Sequence, residues 1–155
     1  KLTRLPSPDP TLFDVRPFLE RMMKLALHQH SYPNIRMILE EVKEDLMVFA
    51  DESLLTQVMT NLLKNAVQAI GDTEEGEIRI RAYCDDQDLV RIEVSNNGPK
   101  ISPEVAGQMF VPFFTTKKEG SGIGLSLSKQ IMRLQGGSIA LLPYKNEWTT
   151  FVVVL

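Results

Sequence analysis

The segment LLTQVMTNLLKNAVQAI, residues 54–70, repeats apolar side chains at helical spacing and follows Asp51, a residue type that caps helix N-termini. On a helical wheel of 100° per residue, one side of this segment is apolar and is formed by Leu55, Met59, Leu62 and Ala66. Such a helix is stable only when its apolar side is buried against another layer of structure. The rest of the chain must therefore supply a surface, such as a sheet.

The opposite side of the same helix carries carboxamides. Gln57, Asn65 and Gln68 lie within about 40° of Asn61 on the wheel. A solvated helix face ordinarily carries Lys and Glu, whereas an amide offers an oxygen to a hard cation and an N–H to a phosphate oxygen. The stripe therefore indicates a site for Mg²⁺ with a nucleoside triphosphate, with a merely polar surface as the alternative.

Helices and strands alternate along the remainder of the chain. Strands are predicted at Leu12–Val15, Ile35–Leu39, Leu46–Phe49, Ile78–Cys84, Leu89–Ser95, Ile139–Leu142 and Thr149–Leu155. Two further helices are predicted at Pro17–His30 and Ile123–Gln135. The turn-like KED at residues 43–45 predicts that the second and third strands form a hairpin. This order predicts an α+β fold, with helices stacked on one face of a mixed sheet.

Composition limits the function classes. The chain has 155 residues, of which 43% are hydrophobic, and this fits one domain with its own core. The net charge of -3 argues against a nucleic-acid partner. Without an apolar run of roughly 18 residues, we expect no direct membrane contact. The one cysteine, Cys84, fits a reducing compartment, so we expect a cytoplasmic location. Prolines at positions 6, 8 and 10 predict a linker over residues 1–11, before a domain at 12–155.

Three glycines, Gly120, Gly122 and Gly124, alternate immediately before the last predicted helix. The surrounding residues match neither a phosphate-binding P-loop nor a Rossmann turn. A glycine-rich turn at a helix N-terminus exposes backbone N–H groups to an anion such as phosphate, and a flexible loop with a helix cap is the alternative. The stripe expected to bury this helix consists of Ile123, Leu127, Ile131 and Leu134.

Four blocks carry a family resemblance: NLLKNA at 61–66, NNGPKI at 96–101, FVPFF at 110–114 and GSGIGL at 120–125. In this order they resemble the N box, first glycine box, F box and second glycine box of the catalytic ATP-binding domain of bacterial sensor histidine kinases. That superfamily includes gyrase, heat-shock chaperones and mismatch-repair ATPases. The resemblance implies a Bergerat-type ATP-binding fold, a two-layer sandwich with a mixed sheet of about five strands and three main helices on one face. The stretch FFTTKKEGSGIGLSLSKQI most resembles kinases of the nitrogen-regulator type.

The resemblance also implies roles for individual residues. Asn65 would ligate Mg²⁺, with Asn61 nearby holding phosphate or a metal-bound water, and Lys117 or Lys64 would supply positive charge during phosphoryl transfer. A loop from Pro99 to Ser121 would cover ATP, anchored by Phe110, Phe113 and Phe114, with ordinary core packing as the alternative role of these three rings. The residues implied to contact the nucleotide are Asn61, Lys64, Asn65, Asn96, Gly98, Ile101, Phe110, Thr115, Thr116, Gly120, Ser121, Gly122, Ile123, Gly124 and Leu125.

Three positions depart from the patterns of the related proteins. Asn61 stands where the related ATPases have a glutamate that activates water, and an amide is no useful base, so we expect slow hydrolysis. Asn96 stands where the family has an aspartate that accepts a hydrogen bond from adenine, so we expect weaker selectivity against GTP. Lys100 replaces a usual glycine, and either stiffens a hinge or adds a phosphate contact.

The resemblance implies partners as well. His28 and His30 do not fit the pattern of a phosphoacceptor, which would lie on separate dimerisation helices preceding Lys1. Those helices and the receiver domain of a response regulator are the expected partners, and the chain alone should be monomeric. The whole protein would be cytoplasmic or anchored in the inner membrane. The alternatives are a degenerate, non-catalytic nucleotide-binding or interaction module and a slow ATP hydrolase.

Overall fold

Strands and helices follow one another in the order β1, α1, β2, β3, α2, β4, β5, α3, α4, β6 and β7. The computed structural model describes residues 7–29, 32–114 and 124–155. The strands are β1 Thr11–Asp14, β2 Ile35–Val42, β3 Met47–Ala50, β4 Gly76–Cys84, β5 Val90–Asn96, β6 Ser138–Leu141 and β7 Thr149–Val154. The helices are α1 Val15–Gln29, α2 Glu52–Ile70, α3 Pro103–Ala106 and α4 Gly124–Leu134.

The main sheet has five strands in the order β2-β4-β5-β7-β6. Strand β2 runs parallel to β4, and the other neighbours are antiparallel. Alternation along β4 buries Ile78, Ile80 and Ala82, as expected for a sheet that faces a core on one side. Helix α1 contacts β2, helix α2 contacts β4 and β5, and helix α4 contacts β6. The predicted α+β fold, with a five-stranded mixed sheet covered by helices, is confirmed.

The predicted hairpin between the second and third strands is wrong. Strand β3 pairs instead with β1, antiparallel, in a separate two-stranded sheet whose register joins Thr11 to Ala50. Between the sheets the chain turns at Asp45, whose φ is 56°, and the Val15 N–H donates to the Leu46 carbonyl at 2.8 Å. The Arg16 guanidinium also donates to the Val42 carbonyl. These bonds to the start of α1 direct β3 away from β2, and a local sequence pattern does not encode them.

Helix α2 buries the side that the wheel predicts. Leu55, Met59, Leu62 and Ala66 are all buried, together with five other apolar residues of the helix. Asp51 begins the helix as predicted, because its carboxylate accepts a hydrogen bond from the Leu54 N–H at 3.0 Å. The amide side consequently faces away from the core, toward the elements that follow β5.

The buried side of helix α4 differs from its prediction. Ile131 is buried and Leu127 half-buried, but Leu134 is 48% exposed, while Ser128 and Met132 are buried. The buried side of α4 is rotated from the predicted stripe because α4 packs on α2 as well as on the sheet. A serine is tolerated on this side because its hydroxyl is hydrogen-bonded to the helix backbone.

None of the helices in the described part of the chain is both long and apolar enough to cross a membrane. Helix α2 has 19 residues, but its apolar side chains lie on one side and its other side carries amides and Lys64. Its apolar side chains are therefore buried in the domain core.

Candidate functional site

A cavity of about 510 Å³ opens between the second half of α2, the end of β5 and the segment around α3. Its polar lining comes from Asn65, Gln68, Asn96, Lys100 and Ser102. Its apolar lining comes from Ala69, Ile101, Val105, Met109 and Phe151. An apolar pocket of this size with a few convergent polar groups is typical of a small-molecule site.

The amide stripe of α2 reaches this cavity only in part. Asn65 and Gln68 line the cavity, whereas Gln57 is exposed on the first half of the helix. Asn61 lies one turn before Asn65, is half-buried, and is not among the residues that line the cavity. The second half of α2 therefore supplies two carboxamides to the cavity wall, and Asn61 serves the neighbouring contact with α4.

Asn61 joins helix α2 to the first turn of α4. Its amide NH₂ donates to the Gly124 carbonyl at 3.1 Å and to the Ser128 hydroxyl oxygen at 3.3 Å. The Ser128 hydroxyl itself donates to the Gly124 carbonyl at 2.8 Å. A Cβ at Gly124 would lie 3.2 Å from the Asn61 Oδ1, so glycine allows this close approach. The amide stripe and the last glycine of the cluster thus meet beside the cavity.

The end of strand β5 is fixed to α2 through Gly98. Asn96, at the strand end, is buried, and its Oδ1 accepts a hydrogen bond from the Gly98 N–H at 2.9 Å. A Cβ at Gly98 would lie 2.8 Å from the Ala69 carbonyl oxygen, so no larger residue fits without a backbone shift. On the other side, Asn97 accepts from the Glu77 N–H at 2.7 Å. This segment of the cavity wall is therefore held in place from both sides.

Two residues near the site were missed by the sequence reasoning. Ser128 is buried, and its helical spacing of three and four residues from the apolar Ile131 and Met132 was the signal in the sequence. Thr149 occupies an inward position of β7 directly opposite Asn96. Its hydroxyl is buried and makes no hydrogen bond within the described ranges. A polar residue in phase with the inward Phe151 and Val153 was the sequence signal for it.

The aromatic residues of FVPFF occupy different environments. The Phe110 ring lies 6.3 Å from the Phe151 ring at an interplanar angle of 71°, and the Lys129 ammonium lies 5.7 Å from the Phe110 ring centre. Phe113 is exposed, with a φ of 68°, and Phe114 is half-buried. Phe110 is therefore the member of this block that attaches its loop to the sheet.

Acidic side chains do not build the site. Among residues 7–29, 32–114 and 124–155, no three His, Cys, Asp or Glu side chains are grouped so as to hold a metal ion. The candidates for a hard cation at the cavity are the amide oxygens of Asn65 and Gln68. Two neutral oxygens suit a cation whose other ligands come from phosphate and water, and they do not form a metal site by themselves.

A family model described as "Histidine kinase-, DNA gyrase B-, and HSP90-like ATPase" matches residues 50–155. The chain belongs to this family of ATPase domains. It is 40% identical over 113 residues to the C4-dicarboxylate transport sensor protein DctB of Rhizobium meliloti, covering 72% of this chain and 18% of DctB. It is 42% identical over 108 residues to the signal transduction histidine-protein kinase AtoS of Escherichia coli, covering 68% of this chain and 17% of AtoS.

The fold of this histidine kinase-type ATPase domain is shared with a solved relative. The catalytic domain of histidine kinase ThkA superposes with a TM-score of 0.81 at 33% identity, covering 95% of each chain. ThkA in complex with the response regulator protein TrrA matches with a TM-score of 0.79 at 32% identity, covering 96% of this chain and 42% of that chain. The predicted family and fold are confirmed. The chain spans about a fifth of the length of DctB and AtoS.

The structure brings together part of the predicted site of this ATPase domain. Asn65, Asn96 and Ile101 line the cavity. Gly98 and Gly124 lie beside it, where they pack closely against α2. Lys64 is exposed and borders a small hollow beside α1, away from the cavity, and Leu125 packs against the core. The remaining predicted residues lie outside the described part of the chain: Thr115, Thr116, Lys117, Gly120, Ser121, Gly122 and Ile123.

Proposed function

We propose that this domain binds Mg-ATP in the cavity and transfers the γ-phosphoryl group to a histidine on the dimerisation helices of the same sensor kinase. The observation that carries the proposal is the junction of α2 with α4. There Asn61 binds Gly124, one turn from the Asn65 that lines the cavity. A purine in the cavity would have its phosphates directed to the first turn of α4, where backbone N–H groups favour an anion.

In this proposal the two ends of the cavity bind different parts of the nucleotide. The base would lie against Asn96, Ile101 and Phe151, which combine a polar amide with apolar surface. Asn65 would hold Mg²⁺, which when bound neutralises charge that develops on the phosphates. Lys117 would add positive charge at the transferred group, a role for which Lys64 is placed too far from the cavity. Thr115, Thr116 and the segment from Gly120 to Ile123 would surround the phosphates.

Hydrolysis should be slow because Asn61 cannot act as a base. An amide has no basic group near neutral pH, and the NH₂ of Asn61 already donates to Gly124 and Ser128. A water molecule next to the triphosphate would therefore lack a group that accepts its proton. A domain that keeps ATP intact until a histidine approaches benefits from this arrangement.

A solved relative supports one of the partners in the proposal. ThkA is seen in complex with the response regulator protein TrrA, so a receiver domain would accept the phosphoryl group from the histidine. The dimerisation helices would precede residues 1–11, which would link them to the catalytic domain at 12–155. This domain would lie in the cytoplasm, within a protein that is cytoplasmic or anchored in the inner membrane.

Incubation with γ-labelled ATP, with and without a supplied dimerisation helix pair, tests the proposal. If the domain is a kinase, the label is transferred to the helix pair, and little free phosphate is released when the helix pair is absent. Rapid phosphate release by the domain alone would instead indicate a hydrolase. An absence of both transfer and release would indicate the non-catalytic module.

A further inference from the structure

The segment that connects β5 to α3, residues 99–102, separates two open spaces. The cavity described above lies on one side of it. A second hollow of about 340 Å³ lies on the other side, between α3 and the turn that joins β6 to β7. Lys100 and Ile101 line both spaces, so these two residues form a partition between them. Because there is room on either side, packing alone does not fix the position of this partition.

The main chain does not fix the partition either. Within the described ranges, neither Lys100 nor Ile101 makes a hydrogen bond through its backbone. The bond from the Gly98 N–H lies before the partition. The Ser102 hydroxyl, which accepts from the first turn of α3 at 3.3 Å, lies after it. These bonds hold the two ends of the segment, so the position of the partition depends on side-chain contacts.

Lys100 makes such a contact with the hairpin of β6 and β7. Its ammonium lies 5.3 Å from the centre of the Tyr144 ring, within the range of a cation–π interaction. No carboxylate in the described part of the chain pairs with this ammonium, so the ring is the group that attracts it. Tyr144 precedes a turn in which Lys145 and Trp148 exchange backbone hydrogen bonds of 3.3 and 2.9 Å. The contact therefore joins the partition to a turn that the main chain holds in place.

We propose that Lys100 and Tyr144 act as a clasp that positions the partition and so keeps this wall of the cavity ready for a nucleotide. This inference rests on the proposed function, which supplies the nucleotide. Of the two roles open to Lys100, the stiffened hinge is then the correct one, and a glycine at position 100 could not make the contact. Without the clasp the segment samples other positions, and affinity falls with the fraction of molecules in which the partition remains in place.

Calorimetric titration with Mg²⁺ and the non-hydrolysable β,γ-imido analogue of ATP measures the effect on binding. Lys100→Met and Tyr144→Leu each remove one partner, and each should weaken binding by about 2- to 5-fold, the value of an exposed cation–π contact. The double variant should bind no more weakly than either single variant, because each of them has already lost the contact. Tyr144→Phe keeps an aromatic face and should retain most of the native affinity.

Lys145→Met is the matched control. It removes the same charge from an exposed position next to Tyr144, and Lys145 lines neither of the two spaces. Its affinity should equal that of the native chain. If Lys100 instead contacted a phosphate, Lys100→Met would weaken binding of the ATP analogue more than binding of ADP, and Tyr144→Leu would have no effect. That result would overturn the inference, as would native affinity in both single variants.

Nuclear magnetic resonance can detect the clasp without a nucleotide. Protons on the Cε of Lys100 should be shifted upfield by the Tyr144 ring, and the shift should persist in Tyr144→Phe and disappear in Tyr144→Leu. Absence of the shift in the native chain would overturn the inference even if the nucleotide binds. If the shift is present but the native chain binds neither the ATP analogue nor ADP, the proposed function is refuted, and with it the role of the clasp in binding.

Discussion

At the scale of single residues, the site depends on contacts between side-chain amides and the main chain. Asn96 bonds the Gly98 N–H, and Asn61 bonds the Gly124 carbonyl. In both cases the glycine allows an approach closer than a Cβ would permit. Gly98 approaches the backbone of Ala69, and Gly124 approaches the side-chain amide of Asn61. A larger residue at Gly98 should therefore displace the backbone, whereas one at Gly124 should displace the Asn61 side chain.

Gly98→Ala should weaken nucleotide binding and lower the free energy of unfolding by about 1–3 kcal/mol, the usual cost of overpacking. The new Cβ would lie 2.8 Å from the Ala69 carbonyl oxygen. Urea unfolding and calorimetric titration measure the two effects. Gly107→Ala is the control, because its Cβ would make ordinary contacts of 3.5 Å and longer and its φ of -71° suits alanine. Equal losses of stability and nucleotide affinity in the two variants would contradict the explanation by close packing at Gly98.

Asn65→Ala should abolish the Mg²⁺-dependent part of ATP-analogue affinity, because the amide oxygen proposed to hold the cation is removed. Gln57→Ala removes an amide from the same side of α2 at an exposed position outside the cavity, and it should change nothing. Titrations with and without Mg²⁺ compare the two variants. A Mg²⁺ effect of native size in Asn65→Ala would show that this residue does not hold the cation.

At the scale of secondary-structure elements, Asp51 connects three segments. Its carboxylate accepts from the Leu54 N–H of α2 and from the Asp9 N–H at 2.8 Å, and its own N–H donates to the Gln135 Oε1 after α4 at 2.6 Å. The backbone hydrogen bond from Asp9, followed by that from Leu54, lowers the pKa of the buried Asp51 carboxyl. The segment before β1 is thereby attached where α2 begins and α4 ends.

Asp51→Ala should lower the free energy of unfolding by about 1–2 kcal/mol at pH 7, as expected for the loss of an N-cap. Since the folded-state pKa of Asp51 is lowered, its charge stabilises the fold above the unfolded pKa, and this part is lost progressively below about pH 4. Urea unfolding at pH 7, 5 and 3 should show the difference shrinking. Asp9→Ala keeps its backbone N–H and serves as the control. If the unfolding free energies of the native chain and Asp51→Ala differed by the same amount at every pH, the stabilising role of the Asp51 charge would be refuted.

The sequence was most informative where a pattern depends on local periodicity. Alternation located the strands, and the wheel of α2 separated its buried side from its amide side. The partner of β2 was not predictable, because alternation gives the face of a strand but not its neighbour. The buried side of α4 was misplaced for a related reason: the Ser128 hydroxyl is satisfied by the Gly124 carbonyl, a bond that hydrophobic periodicity does not register.

At the scale of the whole molecule, the two-stranded sheet exposes apolar side chains. Leu12 is 64% exposed and its cross-strand partner Phe49 is 66% exposed. With Met47, which is 43% exposed on the same side of β3, they form a patch of only three side chains, and a net charge of -3 opposes association. Sedimentation should therefore give the monomer mass of 17.5 kDa at micromolar concentrations. A dimer that Phe49→Ser dissociates would contradict this expectation.

The parallel pairing of β2 with β4 has a consequence for synthesis on the ribosome. Strand β2 is at one edge of the main sheet, and its neighbour begins at Gly76, beyond the whole of α2. The nascent chain can close the small sheet of β1 and β3 first, but β2 has no partner in the main sheet until β4 has left the exit tunnel. Translation stalled before that point would leave an unpaired strand available to other chains.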